Sequence, residues 1–134
     1  MTVINMNTNA SYNFKAPAII KDADSKVEVV FPTSEKQTVA PAAVIEVDVE
    51  RTSTVVDLGE LAEAATLNLT IGADVPVGAI LVVKAKSDAT ARDITLGTGL
   101  TGPAITGVIS KTKSVSFMYD GLSFIAMAAA VQLD

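Results

Sequence analysis

The chain has 134 residues, a formal net charge of −5, and no cysteine, histidine or tryptophan. It is long enough for a single domain with a real core and needs no disulfide or metal staple. Without thiols or imidazoles it lacks the commonest metal ligands and the side chain that most readily moves protons near neutrality, so catalytic residues, a resident metal and a cofactor are not expected. Only ten basic residues are present, and they are scattered, so no basic face suited to nucleic acid is expected. Hydrophobic residues make up 49% of the chain, yet no apolar run reaches the ~18 residues of a membrane span. The first fifteen residues carry neither a basic nor an apolar leader segment, which predicts synthesis in the cytoplasm.

Taken in chain order, residues 1–20 are asparagine-rich and without pattern, with Pro17 near their end. They read as an extended N-terminal arm in front of a domain over 21–134. "KVEVVF" (26–31) reads as a strand stopped by Pro32, and "PTSEKQTVAP" (32–41) as a loop between two prolines. "VIEVDVE" (44–50) alternates, with Ile45, Val47 and Val49 on one face and Glu46, Asp48 and Glu50 on the other. "STVVDL" (53–58) continues the β pattern. "GELAEAA" (59–65) is the one stretch that suits a helix, two turns at most. "TLNLTI" (66–71), "AILVVKAK" (79–86), "DITL" (93–96), "AITGVIS" (104–110), "SVSFMY" (114–119) and "LSFIAMAA" (122–129) read as further strands. This rhythm of short strands predicts an all-β fold, an antiparallel β-sandwich or barrel, with a jelly roll among the options.

Three constellations resemble sites. "GTGLTG" (97–102) has the spacing of a dinucleotide-binding loop, but the β-branched "PAITGVIS" that follows cannot open the helix such a loop needs, so tight turns are expected instead. Glu46, Asp48 and Glu50 form an acidic row without the glycine-punctuated geometry of a calcium loop, and a solvated face, or cross-strand pairing with Lys84 and Lys86 or Lys111 and Lys113, explains it more simply. Asp57, Glu60 and Glu63 could be read as paired glycosidase acids, but aromatic platforms for a sugar are scarce. The two N-x-[ST] matches, at Asn9 and Asn68, read as chance.

The clearest local signal is "SVSFMYDGLSFIAMAA" (114–129). Asp120-Gly121 predicts a two-residue hairpin turn. The strand after it is apolar on both faces. Leu122 and Phe124 lie on one face, Ile125 and Met127 on the other, and all four are candidate interface residues. The span 67–127 resembles small structural proteins of tailed bacteriophages. The resemblance is carried by the "TLGTG" loop, the "KTK" before a strand and the "F-x-YDG-x-x-F" hairpin. It implies a non-enzymatic virion component, most simply an auxiliary capsid (decoration or cement) protein. The implied partner is the major capsid protein or another virion protein, and the implied state a homo-oligomer, with a trimer favoured. A head-fibre, tail or baseplate module and a carbohydrate-binding module are the alternatives.

Overall fold

The computed structural model describes Thr2–Asn5, Ile19–Ile20 and Lys26–Val29 as strands, and the whole chain from Ser34 to Asp134. Its contacts divide into two compact units at the Thr33/Ser34 junction. In the first unit, β1 (Thr2–Asn5), β2 (Ile19–Ile20) and β3 (Lys26–Val29) form an antiparallel sheet in the order β1-β3-β2. Part of the segment expected to be an arm is therefore paired, through β1 and β2, while residues 6–18 lie outside the described residues.

The second unit is all β. Ten strands follow: β4 (Ser34–Thr38), β5 (Val44–Val49), β6 (Ser53–Leu61), β7 (Ala65–Ile71), β8 (Ile80–Ser87), β9 (Ile94–Leu96), β10 (Leu100–Thr101), β11 (Thr112–Tyr119), β12 (Phe124–Ala126) and β13 (Val131–Gln132). The long sheet runs β10-β12-β11-β8-β6-β4, with β13 added to β11. The short sheet runs β5-β7-β9.

The pairing corrects the antiparallel expectation. β4, β6 and β8 are mutually parallel, as are β5, β7 and β9. From β4 to β9 the chain alternates between the sheets, so each strand pairs with the one two places along. Linkers as short as residues 62–64 are far too brief for a parallel crossover within one sheet, but they suffice to step to the other sheet. Antiparallel pairing begins where β11 turns back along β8 and receives β12 and β13. This mixed topology excludes a jelly roll, which is built of antiparallel Greek keys, and neither sheet closes into a barrel.

Period-two alternation makes the core. β5 and β8 bury every second residue throughout, β6 does so as far as Leu58 and β7 as far as Leu69, and Ile45, Leu58, Leu67, Leu81, Phe117 and Phe124 from both sheets belong to one apolar cluster, all at 0–1% exposure. At ~25 cal/mol per Å² of apolar area, each such side chain contributes roughly 1.5–3 kcal/mol relative to solvent. One polar atom in this core is unpartnered: Thr54 is fully buried, and its hydroxyl has no hydrogen bond.

Three local expectations fail, each for a physical reason. Residues 59–65 contain no helix. Gly59, at φ +65°, forms a bulge that shifts the β6–β8 register between Asp57 and Glu60, and the Asp57 carboxylate accepts the Gly59 amide at 3.0 Å. The bulge lets Leu58 and Leu61 both point inward, and their burial outweighs the weak helical preference of a two-turn segment. The loop expected at 32–41 contains β4, a half-exposed edge strand that alternates among polar residues. The strand expected at 104–110 shrinks to a single bridge, Ile94 to Ile105, and the chain then turns through Ser110 at φ +58°.

Candidate functional site

Each strand of the long sheet has an outer face opposite the core. The β11–β8 register sets Met118 beside Ile80 and Ser116 beside Val82, and the β8–β6 register continues these rows to Ser53 and Val55. On the other side Met118 faces Ile125 of β12, and Ile125 faces Thr101 of β10. Met127 follows β12, and its amide bonds the Ser116 carbonyl at 2.9 Å. The result is an apolar strip across β6, β8, β11 and β12, built from Val55, Ile80, Val82, Met118, Ile125 and Met127. Met118, Ile125 and Met127 keep 45%, 39% and 57% of their surface in solvent. Beyond it the same face turns polar: Asp57, Lys84 and Ser114 lie in one row, followed by Glu60, Lys86 and Thr112.

The four expected interface residues separate. Ile125 and Met127 lie on the exposed outer face, as their alternation suggested. Phe124 does not: it is fully buried and stacks on Tyr119 with ring centroids 5.1 Å apart. Leu122 is not in the strand. It sits in the loop before it, 87% exposed, close to the equally prominent Val77 loop, where Gly121 approaches Val77. The hairpin itself is wider than two residues. Tyr119 pairs with Phe124, leaving Asp120–Ser123 as a four-residue loop. Gly121 has φ +101°, but Asp120 is not in the left-handed region. Asp120 closes the loop with its carboxylate instead, accepting the Leu122 and Ser123 amides at 2.8 Å each. Those amides hold its carboxyl below the usual range.

Sequence reasoning missed Val55, Ile80, Val82 and Met118. A signal existed for two of them, because "AILVVKAK" starts apolar on both faces. Nothing local placed it beside β11, since that neighbour comes from pairing at long separation.

The other constellations resolve into structure. In 97–102, Gly99 and Gly102 take positive φ; Gly97 and Thr98 bond β7 of the short sheet, and Leu100–Thr101 then joins the long sheet as β10. Asn68 pins the loop, its side-chain oxygen accepting the Thr98 amide at 2.9 Å while its nitrogen donates to Glu46 at 2.8 Å. A side chain at Gly97 would collide with that asparagine. Glu46, Asp48 and Glu50 are exposed along and just after β5, opposite Asn68 and Thr70 rather than lysines. Of the four lysines, Lys86 is committed elsewhere: it lies 2.9 Å from Glu60, whose hydrogen bond and charge raise the Lys86 pKa. Asp57 faces Lys36 at 3.8 Å, so Asp57 and Glu60 are committed to separate cations rather than to each other. Among the described residues no group of three or more acidic side chains is placed to hold a metal ion. An open polar cleft of about 480 Å³ lies between 35–39 and the Asp48–Glu50 stretch, and no aromatic ring lines it.

Comparisons of the chain with protein-family models, with curated proteins and with solved structures returned no match.

Proposed function

We propose that this chain is a non-enzymatic virion structural protein, an auxiliary capsid protein that binds an assembled phage head and stabilises it by mass action. The observation that carries the reading is the exposed apolar strip of Ile125, Met127, Met118 and their neighbours. A contiguous apolar surface on a small domain is characteristic of an interface. The resemblance of 67–127 to small phage structural proteins supplies the class of partner, the major capsid protein. In this reading the two sheets are the layers of a β-sandwich, the strip is buried in a small homo-oligomer, most simply a trimer, and the net negative charge keeps free assemblies apart in the host cytoplasm.

Electron microscopy of particles made with and without this chain tests the reading. Regularly spaced density on the head that disappears without the chain is the expected result. Heads of identical appearance and stability would overturn it. The alternating parallel strands β4–β9 favour a second reading, a fibre or tail module, because stacked coils of this kind suit elongated assemblies. Label located at the tail or on fibres would select that reading. The carbohydrate-binding alternative draws no support from the ring-free cleft.

A further inference from the structure

The alternation of strands between two sheets leaves β4 and β5, consecutive in the chain, as the terminal strands of the long and the short sheet. Among the described residues neither has a second strand neighbour. The carbonyls of Ala43 and Val49 accept the amides of Thr66 and Gly72 at 2.9 and 2.8 Å, on the β7 side. Because a strand's backbone groups alternate in direction, the amides and carbonyls of Val44, Glu46 and Asp48 point the other way, to the free side. One of these groups is already engaged: Gln37 donates its side-chain amide to the Asp48 carbonyl at 2.7 Å. Among the described residues the remainder is an unfilled hydrogen-bonding template, and the 480 Å³ cleft opens beside its Asp48 end.

The chemistry along this edge selects the occupant. A strand added to β5 places alternate side chains beside Val44, Glu46 and Asp48 on the outer face and the others in line with Ile45, Val47 and Val49. Two of these three outer positions, Glu46 and Asp48, are anionic, and Val44 is an exposed apolar residue at the start of the strand. Glu35 has Arg51 at 3.6 Å and Lys36 has Asp57, whereas Asp48 and Glu50 have no cation partner among the described residues. The inner positions continue three residues that are 0–2% exposed. We infer that the β5 edge is a docking site for an extended segment of a partner protein that alternates basic and apolar residues, added as a further strand of the short sheet. This is β-strand addition, in which backbone bonds supply affinity and alternate side chains supply selectivity. The site is separate from the apolar strip and does not depend on any place in a virion.

The test uses the full chain and a fluorescent six-residue peptide of alternating lysine and valine, with binding read by anisotropy and β5 amides by hydrogen exchange. The expected result is saturable binding that weakens with salt, with the amides of Val44, Glu46 and Asp48 slowed. The double variant Asp48→Lys, Glu50→Lys, altered only at exposed positions, weakens binding at least tenfold. Gln37→Ala, which frees the Asp48 carbonyl, strengthens it several-fold. A glutamate–valine peptide and a lysine–valine peptide interrupted by proline both fail to bind. Three outcomes would overturn the inference: no binding of the lysine–valine peptide, equal binding of the proline-interrupted one, or full protection of these β5 amides in the free protein. The last would mean that the chain itself or a second copy already covers the edge.

Discussion

Replacing Ile125 by aspartate separates an interface from a core. Ile125 is 39% exposed and stands opposite the 45%-exposed Met118, so within one chain an aspartate there stays in contact with water. The folded monomer should lose no more than about 1 kcal/mol, the span of strand propensity and cross-strand pairing. In an assembly that buries the strip the cost is different. Full burial of an isoleucine is worth ~1.5–3 kcal/mol, and about two-fifths of it remains to be buried here, so about 1 kcal/mol of hydrophobic gain disappears. An unpaired carboxylate in the interface adds ~3–5 kcal/mol. Together these amount to roughly three or more orders of magnitude in the dissociation constant, at 1.4 kcal/mol per tenfold. Sedimentation velocity over a wide concentration range should show an oligomer for the wild type and folded monomer for Ile125→Asp, with far-UV circular dichroism unchanged. A wild type that is monomeric at every concentration and on particles would refute the reasoning, as would a variant that assembles normally.

Other consequences can be measured directly. Thr54→Val replaces the unpartnered buried hydroxyl with a methyl and should stabilise the second unit by about 1–3 kcal/mol, seen as a higher urea midpoint at unchanged slope; a lowered midpoint would mean that the hydroxyl is bonded. Gly121→Val forces a β-branched residue to φ +101° beside Val77 and should cost at least about 1 kcal/mol in the same assay. Asn68→Ala removes both the Thr98 and the Glu46 hydrogen bonds and should cost about 1–2 kcal/mol, with faster hydrogen exchange at Thr98. Asp88, Asp120 and Asp134 are each held below the normal value of 3.8: Asp88 by Arg92 first, Asp120 by the Ser123 and Leu122 amides, and Asp134 by the Thr112 amide. Because the folded value lies below the unfolded one, their stabilisation is complete above about pH 4–5 and is lost as pH falls through the folded values. The urea midpoint should therefore drop on acidification, and Asp120→Asn should flatten part of that drop.

What the sequence by itself determined is local. Alternation in "VIEVDVE" marks a true strand and assigns its two faces correctly, and "TLNLTI" and "SVSFMY" are likewise true strands, because a side-chain period of two needs no knowledge of neighbours. The outward placement of Ile125 and Met127 was legible for the same reason. Pairing was not legible. An exposed strand such as β4 has no apolar signature, and whether β6 lies parallel to β8 or antiparallel to β7 depends on where each short linker crosses between sheets. Gly59 shows the limit in one residue: locally it could open a helical turn, but the burial available to Leu58 and Leu61 makes it a bulge. Only the tertiary structure gathered Val55, Val82, Met118 and Ile125 onto one face and left the β4 and β5 edges without a further strand among the described residues, because both depend on backbone hydrogen bonds between residues far apart in the chain.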